Sequence, residues 1–151
     1  MGEDIRLKSE AGEIGAYLAT PKGTPKGGVV VIQEIFGVNA VMRGKADWLA
    51  REGFLAVAPD LFGRIKPGID LTDQTEAEWK QAIDYMNQLD KNASVKDVQA
   101  TLTWARSQGV SKAAVLGYCM GGYIAFLAAC RTDTDATVCY HGGGIHTARR
   151  G

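Results

Sequence analysis

Hydrophobic positions along the chain fall into short blocks, and the spacing inside each block says which element it makes. Ile5 and Leu7 alternate with charged residues. Ile14 to Leu18 forms a second apolar stretch after the turn residues Glu10-Ala11-Gly12-Glu13, and the two predict an N-terminal antiparallel hairpin. Gly28-Val29-Val30-Val31-Ile32-Gln33, Phe54 to Ala58 and Ala113 to Leu116 are near-continuous apolar runs too short for helices, the mark of strands covered on both faces. Between them, apolar residues recur at helical spacing. Asn39 to about Glu52 reads as a helix with Asn39 as N-cap and Gly53 as its stop. Thr75 to about Leu89 reads as a second. Ser94-Val95-Lys96-Asp97 fits a variant capping box for a third, ending near Gly109. A fourth runs from Met120 toward Arg131, and Ala136 to Tyr140 is a last strand. The segment from Leu61 to Leu71 carries Gly63, Pro67 and Gly68 and reads as a long, irregular, lid-like loop.

Strands alternating with helices predict an α/β architecture, a mostly parallel sheet with helices on both faces and an antiparallel hairpin at the N-terminus. At 151 residues the chain is one domain's worth, and no internal repeat or linker divides it. Charge narrows the partners. Seventeen basic residues balance seventeen acidic ones, which gives no basis for nucleic acid or a membrane surface as partner. No apolar run reaches spanning length, and the first residues lack a basic-then-apolar signal segment, so the expectation is a cytoplasmic protein. Cys119, Cys130 and Cys139 are an odd count at uneven spacing, which points to thiols rather than a disulfide framework.

The candidate chemistry sits in Gly117-Tyr118-Cys119-Met120-Gly121-Gly122. A buried strand runs into Gly-x-Cys-x-Gly and then straight into a helix, the nucleophile-elbow pattern with cysteine in the serine position. The glycines fit a turn so sharp that a side chain at either would collide with a neighbouring strand or helix. The turn lifts the sulfur above the sheet edge, next to the positive end of the helix. The competing account is a Gly-rich turn carrying a buried structural cysteine. Glu34 directly follows the central β-branched run, at the carboxyl end of a parallel strand, where such sheets bind ligands. A carboxylate that caps the next helix or faces solvent is the alternative there.

Three blocks, Gln33-Glu34-Ile35-Phe36-Gly37-Val38-Asn39, Ala58-Pro59-Asp60-Leu61-Phe62 and the elbow, together resemble the dienelactone hydrolase (carboxymethylenebutenolidase) family of the α/β-hydrolase fold. The resemblance covers essentially the whole chain. It implies a three-layer fold and a cysteine hydrolase that opens lactones or esters through an acyl-enzyme. It makes Cys119 the nucleophile and Glu34 the carboxylate that holds the resting thiol and helps form the thiolate. It makes the backbone N–H groups of Ile35 and Met120 the oxyanion hole. The implied partner is a small-molecule lactone or ester, with no cofactor and no metal.

The resemblance also implies an Asp and a His on two strand ends beyond Tyr140, which this sequence lacks. Asp133 and Asp135 stand at the wrong edge of the sheet for the acid. The expectation is therefore a C-terminally incomplete domain over 1–151 with its last strands missing, inactive or weakly active in isolation. His141 is the candidate substitute base, with an ordinary loop histidine as the plainer account. Cys139, His141 and His146 lack the four closely spaced ligands of a structural zinc site. Cys130 and Cys139 are expected in the core, Arg64 and Lys66 as solvated loop charges, and Trp48, Trp79 and Trp104 as packing residues. An uncovered strand at 136–140 leads to the second expectation, a non-catalytic or self-associating module pairing through that edge.

Overall fold

The computed structural model describes residues 2–147; Met1 and the basic end of the chain, 148–151, lie outside them. Of eleven elements, ten follow the order the sequence pattern predicts, and the eleventh, a 3-10 turn, opens the segment 61–71 that reads as an irregular loop. The eleven are β1 (Glu3–Ser9), β2 (Gly12–Ala19), β3 (Gly28–Ile32), α1 (Ala40–Arg51), β4 (Leu55–Pro59), a 3-10 turn at Leu61–Arg64, α2 (Glu76–Gln88), α3 (Lys91–Ser107), β5 (Ala113–Tyr118), α4 (Met120–Arg131) and β6 (Ala136–Tyr140). The sheet order is β1-β2-β4-β3-β5-β6. The hairpin pairs antiparallel with itself and with β4, while β4, β3, β5 and β6 run parallel.

Burial explains why β3 and β4 are uninterrupted runs: every residue of both strands is buried. One face, with Val29, Val31, Ala56 and Ala58, packs under α1 through Met42, Ala46 and Leu49. The other, with Val30, Ile32 and Val115, packs under α3 and α4 through Val98, Leu102, Ile124 and Ala128. Fully burying one such aliphatic side chain contributes about 1.5–3 kcal/mol, and these two layers hold most of the chain's large ones. Among the described residues, no helix is long and apolar enough to cross a membrane.

Several expectations are corrected. The third helix begins at Lys91, capped by Asp90, whose side chain accepts from the Ala93 amide at 3.0 Å. Ser94 lies inside that helix and returns its hydroxyl to the Asp90 carbonyl at 2.8 Å. Asp97, one turn on, is fully buried and takes a bidentate pair from Arg64, at 2.8 and 2.9 Å. Arg64 is therefore a structural tie between the 3-10 turn and α3 rather than a solvated charge, and the start of the supposed lid is fastened down. Cys130 and Cys139 are exposed. Cys130 falls at the outer end of α4, and Cys139 lies in β6, the last strand of the described sheet. Val138 and Tyr140 in the same strand are about half exposed, at 47% and 49%. Trp48 and Trp79 also stand half out of the protein, although Trp79 packs edge-on against Phe36 and donates its indole N–H to the Asp73 carbonyl at 3.0 Å.

Candidate active site

Two chain crossings meet at the carboxyl ends of the parallel strands. The first is the turn from β5 into α4. Cys119 holds φ 55° and ψ −119°, a left-handed backbone that costs a non-glycine residue about 1–3 kcal/mol and recurs at functional sites. Close backbone approach forces this turn. A Cβ at Gly117 would strike the Gly121 backbone and the Ala125 side chain; one at Gly121 would strike the main chain of Ile32 and Gln33. The Cys119 amide donates to the Tyr140 carbonyl at 3.0 Å, and the Cys119 carbonyl accepts from Gly122 and Tyr123 at 2.9 and 3.2 Å. Cys119 is half-buried, where the other two cysteines are exposed.

The second crossing is the loop from β3 into α1, held by side-chain hydrogen bonds. Gln33 is fully buried. Its Oε1 accepts from the Leu61 amide at 3.0 Å, and its Nε2 donates to the Glu34 carbonyl at 3.3 Å. Asn39 caps α1 by accepting from the Met42 amide at 3.2 Å and donates through Nδ2 to the Leu71 carbonyl at 2.9 Å. The Leu71 amide donates to the Phe36 carbonyl at 2.9 Å. Gly37 makes an antiparallel bridge to Asp70 and holds φ +82° against the Ile69 main chain, which leaves no room for a side chain.

A shared apolar cluster joins the two crossings. Ile35 and Met120 are both buried in it, with Phe36, Phe62, Ile69, Leu71 and Ala82. Their side chains therefore anchor the two backbone segments to each other. Met120 is the first residue of α4, so its N–H has no partner inside the helix. Among the described residues neither the Ile35 nor the Met120 N–H donates to a protein acceptor.

Glu34 is half-buried, and among the described residues no hydrogen bond joins its carboxylate to the Cys119 thiol. Its charge acts on Tyr118, whose hydroxyl is pushed above its ordinary pKa by burial first, then by Tyr140 and Glu34. Tyr118 stacks on Tyr140 with ring centroids 5.0 Å apart, and Lys45 of α1 sits 4.1 Å from the Tyr118 centroid. His141 holds φ 37°, is exposed, and places its ring 6.4 Å from that of Tyr118. His146 is exposed too, and among the described residues no group of acidic, Cys or His side chains is arranged to hold a metal. Asp133 and Asp135 lie at the opposite end of β6 from the elbow. Arg106 pairs with both, at 2.7 and 3.2 Å, and Lys112 also reaches Asp135. The Ala113 amide, with those two cations, holds the Asp135 carboxyl down to about 2.

The sequence reading missed the polar clamp made by Gln33, Asn39 and the 69–71 segment. One signal was present: a single amide side chain, Gln33, closes a run of five strand residues that are otherwise apolar or glycine. A buried Gln at that point needs partners, and the chain supplies them from residues far along the sequence.

A strand–cysteine–helix elbow, set beside the loop that follows the neighbouring parallel strand, defines an α/β-hydrolase-type chain. Comparison with known proteins is more specific. The model of the dienelactone hydrolase family matches residues 14–150, and the chain belongs to that family. The carboxymethylenebutenolidases of Pseudomonas putida and Pseudomonas knackmussii are each 40% identical to it over 146 residues, covering 95% of this chain and 62% of theirs. A solved structure from Klebsiella pneumoniae, provisionally described as a dienelactone hydrolase, superposes with a TM-score of 0.80 at 27% identity, covering 94% of this chain and 60% of that one. The chain thus spans about three fifths of the length of the relatives it matches.

Proposed function

We propose that this chain carries the nucleophile half of a thiol hydrolase acting on carboxylic lactones and esters. The observation that supports this most is the left-handed backbone of Cys119, a strained conformation kept at the position where the resemblance of the elbow motif implies a nucleophile. In this reading the Cys119 thiolate attacks the substrate carbonyl carbon. A C–S bond forms, and the carbonyl electrons move onto oxygen, opposite the N–H groups of Ile35 and Met120. Collapse breaks the C–O bond and leaves a thioester, and the departing alkoxide leaves as the alcohol by taking up the proton that Glu34 had accepted from the thiol. Water then attacks the thioester, releases the acid and returns the thiol. Glu34 serves as proton acceptor for the resting thiol, reaching it by side-chain rotation from its half-buried position. The pair of Asp and His that the family resemblance implies belongs to the second step, and His141 is the described residue nearest to that role.

The test is turnover of an aryl acetate by the wild-type chain and by Cys119→Ala, together with alkylation of each thiol by iodoacetamide at pH 6, read by peptide mapping. Although Cys139 is exposed as a residue, partial desolvation of its thiol pushes it up, away from reactivity at that pH. Cys119 is expected to alkylate at least tenfold faster than Cys139, and any turnover is expected to vanish in the variant. Equal rates at the two thiols would defeat the proposal. Because Cys130 and Cys139 are exposed, accessibility alone does not separate the three thiols, and the rate is the informative quantity.

A second reading has its own observation. β6 pairs with β5 on one side, its outer side pairs with nothing among the described residues, and all its residues but Thr137 are exposed. Such an edge is a template for another strand. Self-association through 136–140 would appear as a dimer in light scattering that Val138→Lys dissociates; a monomer at all concentrations would remove this reading.

A further inference from the structure

Asp60 stands between the end of β4 and the 3-10 turn and is 8% exposed. No step assigned to Cys119 or Glu34 uses it. Its main chain is fixed to the sheet: the Asp60 amide donates to the Gly15 carbonyl at 2.9 Å, and the Asp60 carbonyl accepts from the Gly63 amide at 3.1 Å. Its carboxylate faces inward along the segment that follows. Oδ2 accepts from the Gly68 amide at 2.9 Å. Desolvation pushes this carboxyl above its ordinary range, against the backbone N–H groups of Gly68, Phe62 and Gly63. One side chain therefore gathers N–H groups from both ends of 62–68 and folds that stretch back on itself. Gly68 holds φ +76°, and a Cβ there would meet nothing within 4 Å, so the bend is held by the hydrogen bond rather than by packing around the glycine.

Both ends of the folded stretch reach the β3–α1 loop. At the near end, the Leu61 amide donates to Gln33 Oε1, and Gln33 Nε2 donates to the Glu34 carbonyl. At the far end, Leu71 follows Gly68 by three residues, about 10 Å of extended chain at most, so a shift at Gly68 passes on to it. The Leu71 amide donates to the Phe36 carbonyl, and Asp70 bridges Gly37. Ile69 and Leu71 also share the apolar cluster that buries Ile35. The Ile35 N–H thus lies between two struts, Gln33–Leu61 before it and Phe36–Leu71 after it, and both struts start from the stretch that Asp60 folds.

We propose that Asp60 is a positioning residue for the oxyanion site: by holding 62–68 in its fold, its carboxylate fixes the two struts that aim the Ile35 N–H. The proposal rests on the reading of that N–H as an oxyanion donor.

The test compares two reactions of the Cys119 thiol in the full chain. Acylation by p-nitrophenyl acetate builds an oxyanion and is read as released p-nitrophenolate, with peptide mapping of Cys119. Alkylation by iodoacetamide displaces iodide and builds none. Asp60→Asn replaces one carboxylate oxygen by an N–H donor at unchanged size. In that variant acylation is expected to fall about tenfold or more while alkylation changes less than about twofold. Equal falls in both reactions, or no fall in acylation, overturn the proposal. A wild-type Cys119 that alkylates but is never acylated defeats the thiol-hydrolase reading instead, and deuterium exchange then decides on Asp60. The Leu71 amide is expected to exchange about tenfold or more faster in Asp60→Asn, relative to the Val115 amide in β5. An unchanged relative rate overturns the proposal. Should Asp60→Asn fail to fold, the wild-type chain decides: the Gly68 and Leu71 amides are expected to open together, and a Leu71 amide that stays protected while Gly68 exchanges freely overturns it.

Discussion

The two crossings at the carboxyl end of the sheet reach the same place by opposite means. The β5–α4 elbow is held by atoms that are missing: Gly117 and Gly121 let three backbone segments touch, and the site tolerates nothing larger. The β3–α1 loop is held by atoms that are present. Gln33 and Asn39 fix it through hydrogen bonds to residues 61 and 71. The first arrangement is sensitive to added volume, the second to a lost partner. The first fixes where Cys119 lies, whereas the second sets where Glu34 and the Ile35 amide lie.

The largest expected effect follows from the elbow. Gly121→Ala places a methyl against the Ile32 and Gln33 main chain, which cannot give way, and is expected to cost about 3 kcal/mol or more in urea unfolding. A loss under about 1 kcal/mol would show that the turn is looser than its contacts imply. On the polar side, Gln33→Leu keeps the volume but strands the buried Leu61 amide, at a cost of about 1–3 kcal/mol in the same assay. An unchanged midpoint would mean that water replaces the amide oxygen, and the contrast between the crossings would collapse.

A third substitution should have the opposite sign. Cys119→Gly removes the penalty of a left-handed cysteine and is expected to stabilise the fold by about 1 kcal/mol, while abolishing thiol chemistry at that position. The smallest effect is a dependence on pH, confined to the polar side. Burial raises the Asp60 carboxyl, so the native state holds that proton more tightly than the unfolded chain does. Stability should therefore fall as pH rises from the ordinary carboxylate value of about 3.9 through the raised value of Asp60, and flatten above it. Subtracting the Asp60→Asn curve from the wild-type curve between pH 4 and pH 7 isolates that slope; superimposable curves would contradict it.

The same contrast explains what was legible in the sequence. The elbow is a local event, so Gly117, Cys119 and Gly121 announce it within five residues, and the strand and helix around them are short-range patterns too. The clamp is not local. Gln33 meets Leu61 across 28 residues, Asn39 meets Leu71 across 32, and Arg64 meets Asp97 across 33, and no periodicity encodes such pairs. Asp97 was misread for a related reason. Ser94 and Asp97 match a capping box by residue type, but Asp90 lies one turn earlier and takes the cap, which frees Asp97 for Arg64. Cys130 and Cys139 sit in runs that look like core, yet their exposure depends on what packs outside α4 and β6 rather than on the runs themselves.

The hydrogen bond from the Cys119 amide to the Tyr140 carbonyl ties the elbow to the outermost strand of the described sheet. Edge strands fray first, and each fraying event would unlatch the main chain at the sulfur. Deuterium uptake at that one amide is therefore a gauge of how often the rim of the sheet lifts. A molecule that steadied the rim from outside would steady Cys119 without ever touching it.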